Sequence, residues 1–495
     1  MASTHILSKS TFLKGLQCDK HLYLYKNNKE LLDPLTEMQQ AIFSRGTDVG
    51  KIAQQLFPNG VDVSPPSPMN FEKSIEQTEK LMRKGEHVIY EASFVYDEVL
   101  AAADIVVKNG DGWNIYEVKS STSVNEVHIN DAAVQYWIVN NLGYKINDIS
   151  IFYINNQYVR KGELDLNSLF NIESVLEFVI EKQDFVTKEI ARQKKVLEKN
   201  TVPKVDIGMH CTDPYPCGFI GYCWKHIPKN SVFDISGMHL RKKFEFYEQG
   251  IIKMKDIPED AALNSNQRLQ IDGALHNKKI IDKEAISEFL KTLSYPMYFV
   301  DFESFQPPVP LYDNSKPYQQ IPFQYSVHFK ESAESDLLHY EFLAEPESDP
   351  RIPFIENLLK VLGDKGDIVV YNKAFEITRL KEIARDHPKY EKKIEKLFDR
   401  VKDIMIPFQK KYYYTPAMEG SYSIKYVLPA LVPELSYENM QIADGGTASL
   451  AYESLLTLDD FIKINEIKKQ LLEYCKLDTL AMVKILEKLE SLIGV

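Results

Sequence analysis

The sequence predicts an α/β chain of two domains with a helical connector between them, and three observations carry that prediction. The chain has 495 residues, beyond the size at which a single hydrophobic core stops growing. Residues 87–120 write three β-type runs, HVIYEASFVY, VLAAADIVVK and NIYEVKSS, with helical periodicity on either side. From Tyr295 the pattern becomes strand (YPMYFVDFES), strand (FQYSVHFK), strand (LLHYEFLA), helix (PFIENLLKVLG), strand (DIVVYN) and then mostly helices, the order of a mixed sheet covered by helices. The expected divisions are residues 1–228, a connector over 229–292, and residues 293–495.

Residues 1–85 read mostly helical, because FLKGLQCDKHLYLYK and EMQQAIFSRGTDVGKIAQQLF place apolar residues three and four apart. In the β-type stretch that follows, Asn109-Gly110-Asp111-Gly112 supplies a tight hairpin turn. Glu117 and Lys119 flank Val118, so both project from one face of their strand, and the turn folds that strand against the one bearing Asp104. Two carboxylates and an ammonium therefore converge. Phosphodiester hydrolysis uses such a set: the carboxylates hold Mg²⁺ or Mn²⁺, and the lysine orients water or stabilises developing charge.

Helical segments lead to HCTDPYPCGFIGYCWKH, which holds Cys211, Cys217 and Cys223, while Cys18 stands alone near the start. No run approaches the roughly 18 apolar residues of a membrane span, and MASTHILSKSTFLK lacks the apolar core of a signal peptide, so a cytoplasmic chain is expected. A reducing compartment disfavours disulfides. Three clustered thiolates and a distant fourth instead supply four soft ligands, suited to tetrahedral zinc or to an iron–sulfur cluster. Cys475, inside a predicted helix, reads as a small buried residue.

The net charge of −12 weighs against a chain that coats a polyanion with Lys and Arg. It leaves a nucleic-acid partner open, because carboxylates can hold cations that bridge to phosphate. Basic clusters such as Arg192 to Lys199 and Arg241 to Lys243 can also line a groove.

LAAAD, a turn, and YEVKSST with Gln135 downstream resemble the PD-(D/E)XK nucleases, specifically the RecB-like branch that includes the AddB subunit and the CRISPR adaptation nuclease. In that branch one cysteine precedes the nuclease core and three follow it, together holding a 4Fe-4S cluster. Cys18, then Asp104, Glu117 and Lys119, then Cys211, Cys217 and Cys223 match that order across residues 1–228. The resemblance implies a restriction-endonuclease-like fold, Mg²⁺ or Mn²⁺ at Asp104 and Glu117, and an iron–sulfur cluster at the four cysteines. Two departures stand out. The branch often carries a histidine ligand after an Arg-Gly pair, whereas here Arg45-Gly46 is followed by Gly50, which points to Glu91 as a substitute; and the Gln-x3-Tyr helix motif reads Gln135 followed by Val139.

Farther along, HLRKKFEFYEQGIIKMKDIPEDA is similar to one helix-hairpin-helix unit. In YFVDFESF, Asp301 and Glu303 stand two apart in an apolar run, so a strand points both carboxylates to one face. Tyr474 and Asp478 stand four apart in a leucine-rich stretch and stack on one face of a helix.

Residues 293–495 resemble the DEDD exonucleases, RNase H-like 3′–5′ enzymes. Asp301 and Glu303 match their first motif, and YNKAFEITRL matches the second at Asn372 and Phe375, with Glu376 where the family has aspartate. Tyr474 and Asp478 match the third, in its tyrosine form, and GSYSIKYVLPAL with Asp403 before it is similar to the segment between the last two. The resemblance implies that Asp301, Glu303, Glu376 and Asp478 hold two divalent cations about 4 Å apart, with Tyr474 positioning the attacking water.

Together these resemblances imply a dual nuclease acting on DNA in repair, recombination or defence, similar to an uncharacterised bacterial family with the same domain pairing. Two other readings stand beside it. One is an RNA exonuclease, which DEDD chemistry allows. The other is a nucleic-acid-binding scaffold with one or both centres decayed, serving a helicase or a defence complex.

Overall fold

The computed structural model describes residues 6–67, 70–437 and 440–494, and its fold is mixed α/β. The first five residues of the N-terminal segment considered above lie outside the described residues. Two units divide the chain: Met1–His226 with Pro308–Pro317, and Ile227–Pro307 with Tyr318–Val495. Among the described residues no helix is long and apolar enough to cross a membrane.

In the first unit, β1 (Leu7–Ser8) leads directly into α1 (Lys9–Gln17), and α2 (Asp19–Asn27) follows after Cys18. Beyond β2 (Val61–Asp62), the three β-type runs form β3 (Val88–Tyr96), β4 (Val99–Asn109) and β5 (Gly112–Lys119). These three are antiparallel. The crossover α3 (Glu126–Asn141) then returns the chain to β6 (Ile146–Ile154), parallel to β5, and β7 (Phe170–Ser174) closes the order β2-β3-β4-β5-β6-β7.

Helix α3 buries Ala132, Ala133, Val134, Trp137, Ile138 and Val139, residues spread around its whole circumference, the mark of a helix sunk in a core. It packs on β3 and β4, where Ala92, Ala101 and Ala103 are buried and keep the surface beneath it low.

Strand β1 pairs parallel with the start of β4, Leu7 with Val99 and Ser8 with Leu100, whereas β5 pairs only with residues 105–109 of the same strand. On that edge of β4, β1 therefore occupies the stretch that β5 leaves open. Lys9, the next residue, emerges beside the end of β5.

The second unit is built on β8 (Met297–Phe305), flanked by antiparallel β9 (Ile321–Lys330) and parallel β11 (Asp367–Val370), with β10 (Leu338–Leu343) and β12 (Val401–Asp403) at the edges. The order is β10-β9-β8-β11-β12. Residues Ile321–His328 of β9 are all buried, as a strand covered on both faces requires. Helices α4 (Lys373–Asp386), α5 (Gly445–Leu455) and the long α6 (Phe461–Ile493) follow in chain order. The stretch expected as a connector, 229–292, belongs to this unit. Its Val232, Ile235, Met254 and Ile271 bury one another in a cluster of their own, so its apolar residues are satisfied by packing rather than left along a solvated link.

Candidate active centres

In the first unit the ladder between β4 and β5 stops at Ile105–Tyr116. At the next rung the Asp104 carboxylate itself accepts the Val118 amide, N to Oδ2 2.7 Å. Glu117 and Lys119 share a face, as their spacing of two requires, and Lys119 Nζ lies 2.6 Å from Glu117 Oε1. From α3, Gln135 Nε2 donates to Glu117 Oε2 at 2.7 Å. Glu91 sits in β3 at the position across from Asp104, between the paired residues Tyr90–Ile105 and Ala92–Ala103, with φ of 56°. A glutamate in the left-handed region is strained, and such strain concentrates at functional sites.

Two further residues enter that sequence reasoning missed. Asp131 accepts from Lys119 at 2.5 Å; it stands one helical turn before Gln135, a spacing that could have revealed it. Lys9 Nζ lies 2.8 Å from Glu117 Oε1 and 3.6 Å from Asp131 Oδ1. Nothing local in its sequence signals that contact.

The electrostatics follow from four buried or half-buried acids facing two ammoniums. Burial, reinforced by the Glu117 charge, pushes the Asp104 carboxyl up to about 8. Burial and the nearby Glu117 charge raise Glu91 as well, against the pull of Lys9. Glu117 itself is held below its usual value, because Lys119 and Lys9 outweigh the effect of burial. An added positive charge would favour the ionised form of these acids.

The four thiols lie in the same unit. Cys18 caps α2, Cys211 ends a short 3-10 turn, and Cys217 and Cys223 bracket the next loop and turn. Gln17 holds this loop to α1, its Nε2 donating to the carbonyls of His210 (2.8 Å) and Tyr215 (2.7 Å). All four cysteines are free thiols and line one cavity with His21 and His210. Burial raises Cys18 and Cys223 and pushes Cys217 up to about 12.

In the second unit Asp301 and Glu303 share one face of β8, opposite Ser326 and Gln324 of β9. Those partners fix α6 over the sheet. Gln324 Nε2 donates to the Leu471 carbonyl at 2.8 Å, and Thr479 Oγ1 lies 2.7 Å from both Ser326 Oγ and His328 Nδ1. Asp478, next to Thr479, is thereby directed at the β8 carboxylates. Its Oδ1 accepts from Tyr437 Oη at 2.6 Å, and the Tyr474 hydroxyl one turn earlier also bonds to it. Cys475 Sγ stands 3.7 Å from Asp301 Oδ2. Among the described residues, Asp301, Glu303 and Cys475 are the one group of three or more His, Cys, Asp or Glu side chains whose ligand atoms all fall within 4.8 Å of one another.

Glu376 reaches this place from the first turn of α4. It is 2% exposed, its Oε2 has no hydrogen-bond partner, and burial followed by the Asp301 charge pushes its carboxyl well up. Asn372 and Asp403 act otherwise. The Asp403 carboxylate accepts the backbone amides of Asn372 (3.1 Å), Lys373 (3.0 Å) and Met405 (3.0 Å), so it fixes the entry to α4, while Asn372 supplies the left-handed cap residue.

Burial, with the Asp478 charge second, raises Asp301 well above its usual value; Glu303 is raised likewise by burial and then Asp301. Burial lifts Asp478 to about 6 although its two tyrosine partners oppose the shift. Lys425, from the GSYSIKYVLPAL segment, is the cation whose charge eases Glu303 and Asp478. Like-charged acids packed this closely offer oxygen ligands of the kind that a hard divalent cation takes.

Residues 298–423 match a family described as "Domain of unknown function (DUF2779)". The match includes Asp301, Glu303, Glu376 and Asp403, and ends before Tyr474 and Asp478. The chain is 27% identical over 234 residues to "Uncharacterized protein UU173" of Ureaplasma parvum, which covers 42% of this chain and 33% of that protein. It is 26% identical over 259 residues to "Uncharacterized protein MG366 homolog" of Mycoplasma pneumoniae, covering 48% and 39%. "Uncharacterized protein MG366" of Mycoplasma genitalium is 27% identical over 218 residues, covering 40% and 32%. The chain thus spans about a third of the length of these curated relatives.

Proposed function

We propose that this chain is a metal-dependent nuclease with two catalytic centres, one in each unit, that hydrolyses nucleic-acid phosphodiesters, with DNA ends as the substrate. One observation carries the reading above the others: Asp301 and Glu303 from one strand, Glu376 from α4 and Asp478 from α6 are carboxylates all raised by burial, with the Asp301 charge adding to the rise at Glu303 and Glu376 and the Asp478 charge to that at Asp301. Such a cluster is costly without a cation. The strand order β10-β9-β8-β11-β12, with β8 central, β9 and β10 antiparallel in succession on one side and β11 parallel on the other, supports an RNase H-like assignment of the second unit. In the first unit, three antiparallel strands, a crossover helix and a parallel strand, with Asp104, Glu117, Lys119 and Gln135 around one point, support the PD-(D/E)XK assignment.

Divalent cations, Mg²⁺ or Mn²⁺, would supply an activated water and charge neutralisation on the phosphate in each centre. Asp301, Glu303, Glu376 and Asp478 would hold them in the second unit, and Asp104 and Glu117, with Glu91 in support, in the first. Tyr474 orients Asp478 and positions water; Lys119 does the same for Glu117 and stabilises charge developing on the phosphate.

We assign the four thiols to a 4Fe-4S cluster. The four cysteines line one cavity, and their order, one before and three after the carboxylate motif, supports the cluster over a zinc ion. A nuclease of DNA repair, recombination or defence in the cytoplasm, working beside a helicase or a defence complex, is the setting this reading implies.

The test is degradation of end-labelled single-stranded DNA and RNA by holo-protein with Mg²⁺ or Mn²⁺, beside Asp104→Ala and Asp301→Ala variants. Each variant is expected to abolish a separate activity. Nucleic-acid binding without cleavage by any form would replace the nuclease with a binding scaffold, and cleavage confined to RNA would move the substrate class.

A further inference from the structure

Two ammoniums meet on one oxygen of Glu117. Lys119 Nζ lies 2.6 Å and Lys9 Nζ 2.8 Å from Oε1, while Gln135 occupies Oε2 at 2.7 Å. Lys119 belongs to the motif that carries the carboxylates; Lys9 arrives from 108 residues away. The two are held differently. Lys119 is clamped between Glu117 and Asp131, at 2.6 and 2.5 Å. Lys9 has a close contact with Glu117 only, its second partner Asp131 being 3.6 Å off.

Other residues also seat the helix that carries Lys9. Leu7 and Ser8 are in register with Val99 and Leu100, Phe12 is fully buried, and the Phe12 and Gly15 carbonyls accept from Gln193 and Arg192. The ammonium is thus a separate feature of the centre. It sits on an oxygen that a divalent cation would also require.

We propose that Lys9 is the resident counter-ion of the first centre, a positioning residue that competes with the divalent cation for Glu117 Oε1 and so sets the concentration at which that centre loads. This rests on the reading of the first unit as a metal-dependent centre. When the cation binds, Lys9 leaves Glu117 and Lys119 stays clamped; when the cation departs, Lys9 returns and keeps the carboxylate paired. A cation two charges strong, a few ångströms from an ammonium, feels a repulsion worth on the order of tenfold in affinity even at the permittivity of water.

The experiment is Mn²⁺ titration, read by electron paramagnetic resonance, of the full chain with the second centre silenced by Asp301→Asn and Asp478→Asn. Lys9→Met in that background should bind Mn²⁺ on the order of tenfold more tightly, and Lys9→Arg, which keeps the charge, should not. A merely structural lysine would leave affinity unchanged or weaken it, and either result overturns the proposal. A wild-type readout guards against a variant that does not fold: amine labelling of Lys9, followed by mass spectrometry, should rise several-fold on adding Mn²⁺, and unchanged labelling overturns the proposal. If neither the parent nor Lys9→Met binds Mn²⁺ in the first unit, the metal-centre reading of that unit falls with it; equal binding by both removes the role of Lys9 alone.

Discussion

Gln135 Nε2 donates to Glu117 Oε2 at 2.7 Å, from inside a helix whose surrounding residues are almost all apolar and buried. That single amide fixes which oxygen of Glu117 faces the lysines. Gln135→Leu should leave a buried carboxylate oxygen without a donor and cost about 1–3 kcal/mol. Urea denaturation would measure the loss, and cleavage by the first centre, isolated in an Asp301→Ala background, should fall with it. Unaltered stability would mean the two lysines alone secure Glu117.

Asp403 should behave as a structural anchor of the second centre. It accepts the two backbone amides at the start of α4, the helix that carries Glu376, and a third from Met405. Asp403→Ala is expected to cost about 1–2 kcal/mol, the scale of a lost cap, and to lower the cleavage proposed for the second centre by displacing Glu376. Asp403→Asn keeps one acceptor oxygen and should lose less on both counts. Equal losses in thermal melts and rates would refute the capping role.

The carboxylate cluster makes a signed prediction for pH. Asp478 titrates near 6 in the folded protein because it is buried, against about 3.9 when unfolded. The folded state therefore binds the proton more tightly, so stability of the metal-free protein is greatest below about pH 4 as far as this group is concerned and is lost as pH rises toward 6. Asp478→Asn should remove that dependence and stabilise the metal-free chain at pH 7.5 by up to about 3 kcal/mol. Calorimetry across pH 4–8, with chelator, compares the two; a wild-type chain whose stability rises over that window relative to the variant would reverse the assignment.

Glu376 separates chemistry from stability. Its Oε2 is buried and unpaired, so Glu376→Gln should raise the melting temperature of the metal-free protein. The same change should slow cleavage by the second centre on the order of 10²-fold, the scale of removing one electrostatic stabiliser of a transition state. Cleavage that stays at the parental rate would take Glu376 out of the metal set.

Removing a ligand of the proposed cluster should act on the first unit. Cys217→Ser is expected to bleach the brown absorbance near about 400 nm of protein purified without air and to lower the melting temperature of the chain. A colourless wild-type protein carrying one zinc would replace the cluster with a tetrahedral ion.

Much of this was legible in residue order. The alternation Asp301-Phe302-Glu303 and the turn Asn109 to Gly112 placed carboxylates on defined faces, because a strand has a period of two; the structure has both strands and that turn. The four-residue spacing of Tyr474 and Asp478 likewise put both on one side of α6, where the tyrosine hydroxyl meets the carboxylate. Other members were out of reach. Tyr437 lies in a loop outside any periodic element, and Cys475 touches Asp301 only because α6 is seated on β8 and β9.

By itself, then, the sequence determined the mixed α/β class, the strands and helices that bear the acids, and which side chains share a face. Those follow from local periodicity, which acts over a few residues. Only the tertiary structure decided which groups meet: Lys9 with Glu117, Gln135 with the same carboxylate, Glu376 with Asp301. Such meetings depend on strand pairing and helix docking between segments far apart in the chain, and no local pattern encodes where a docked element comes to rest.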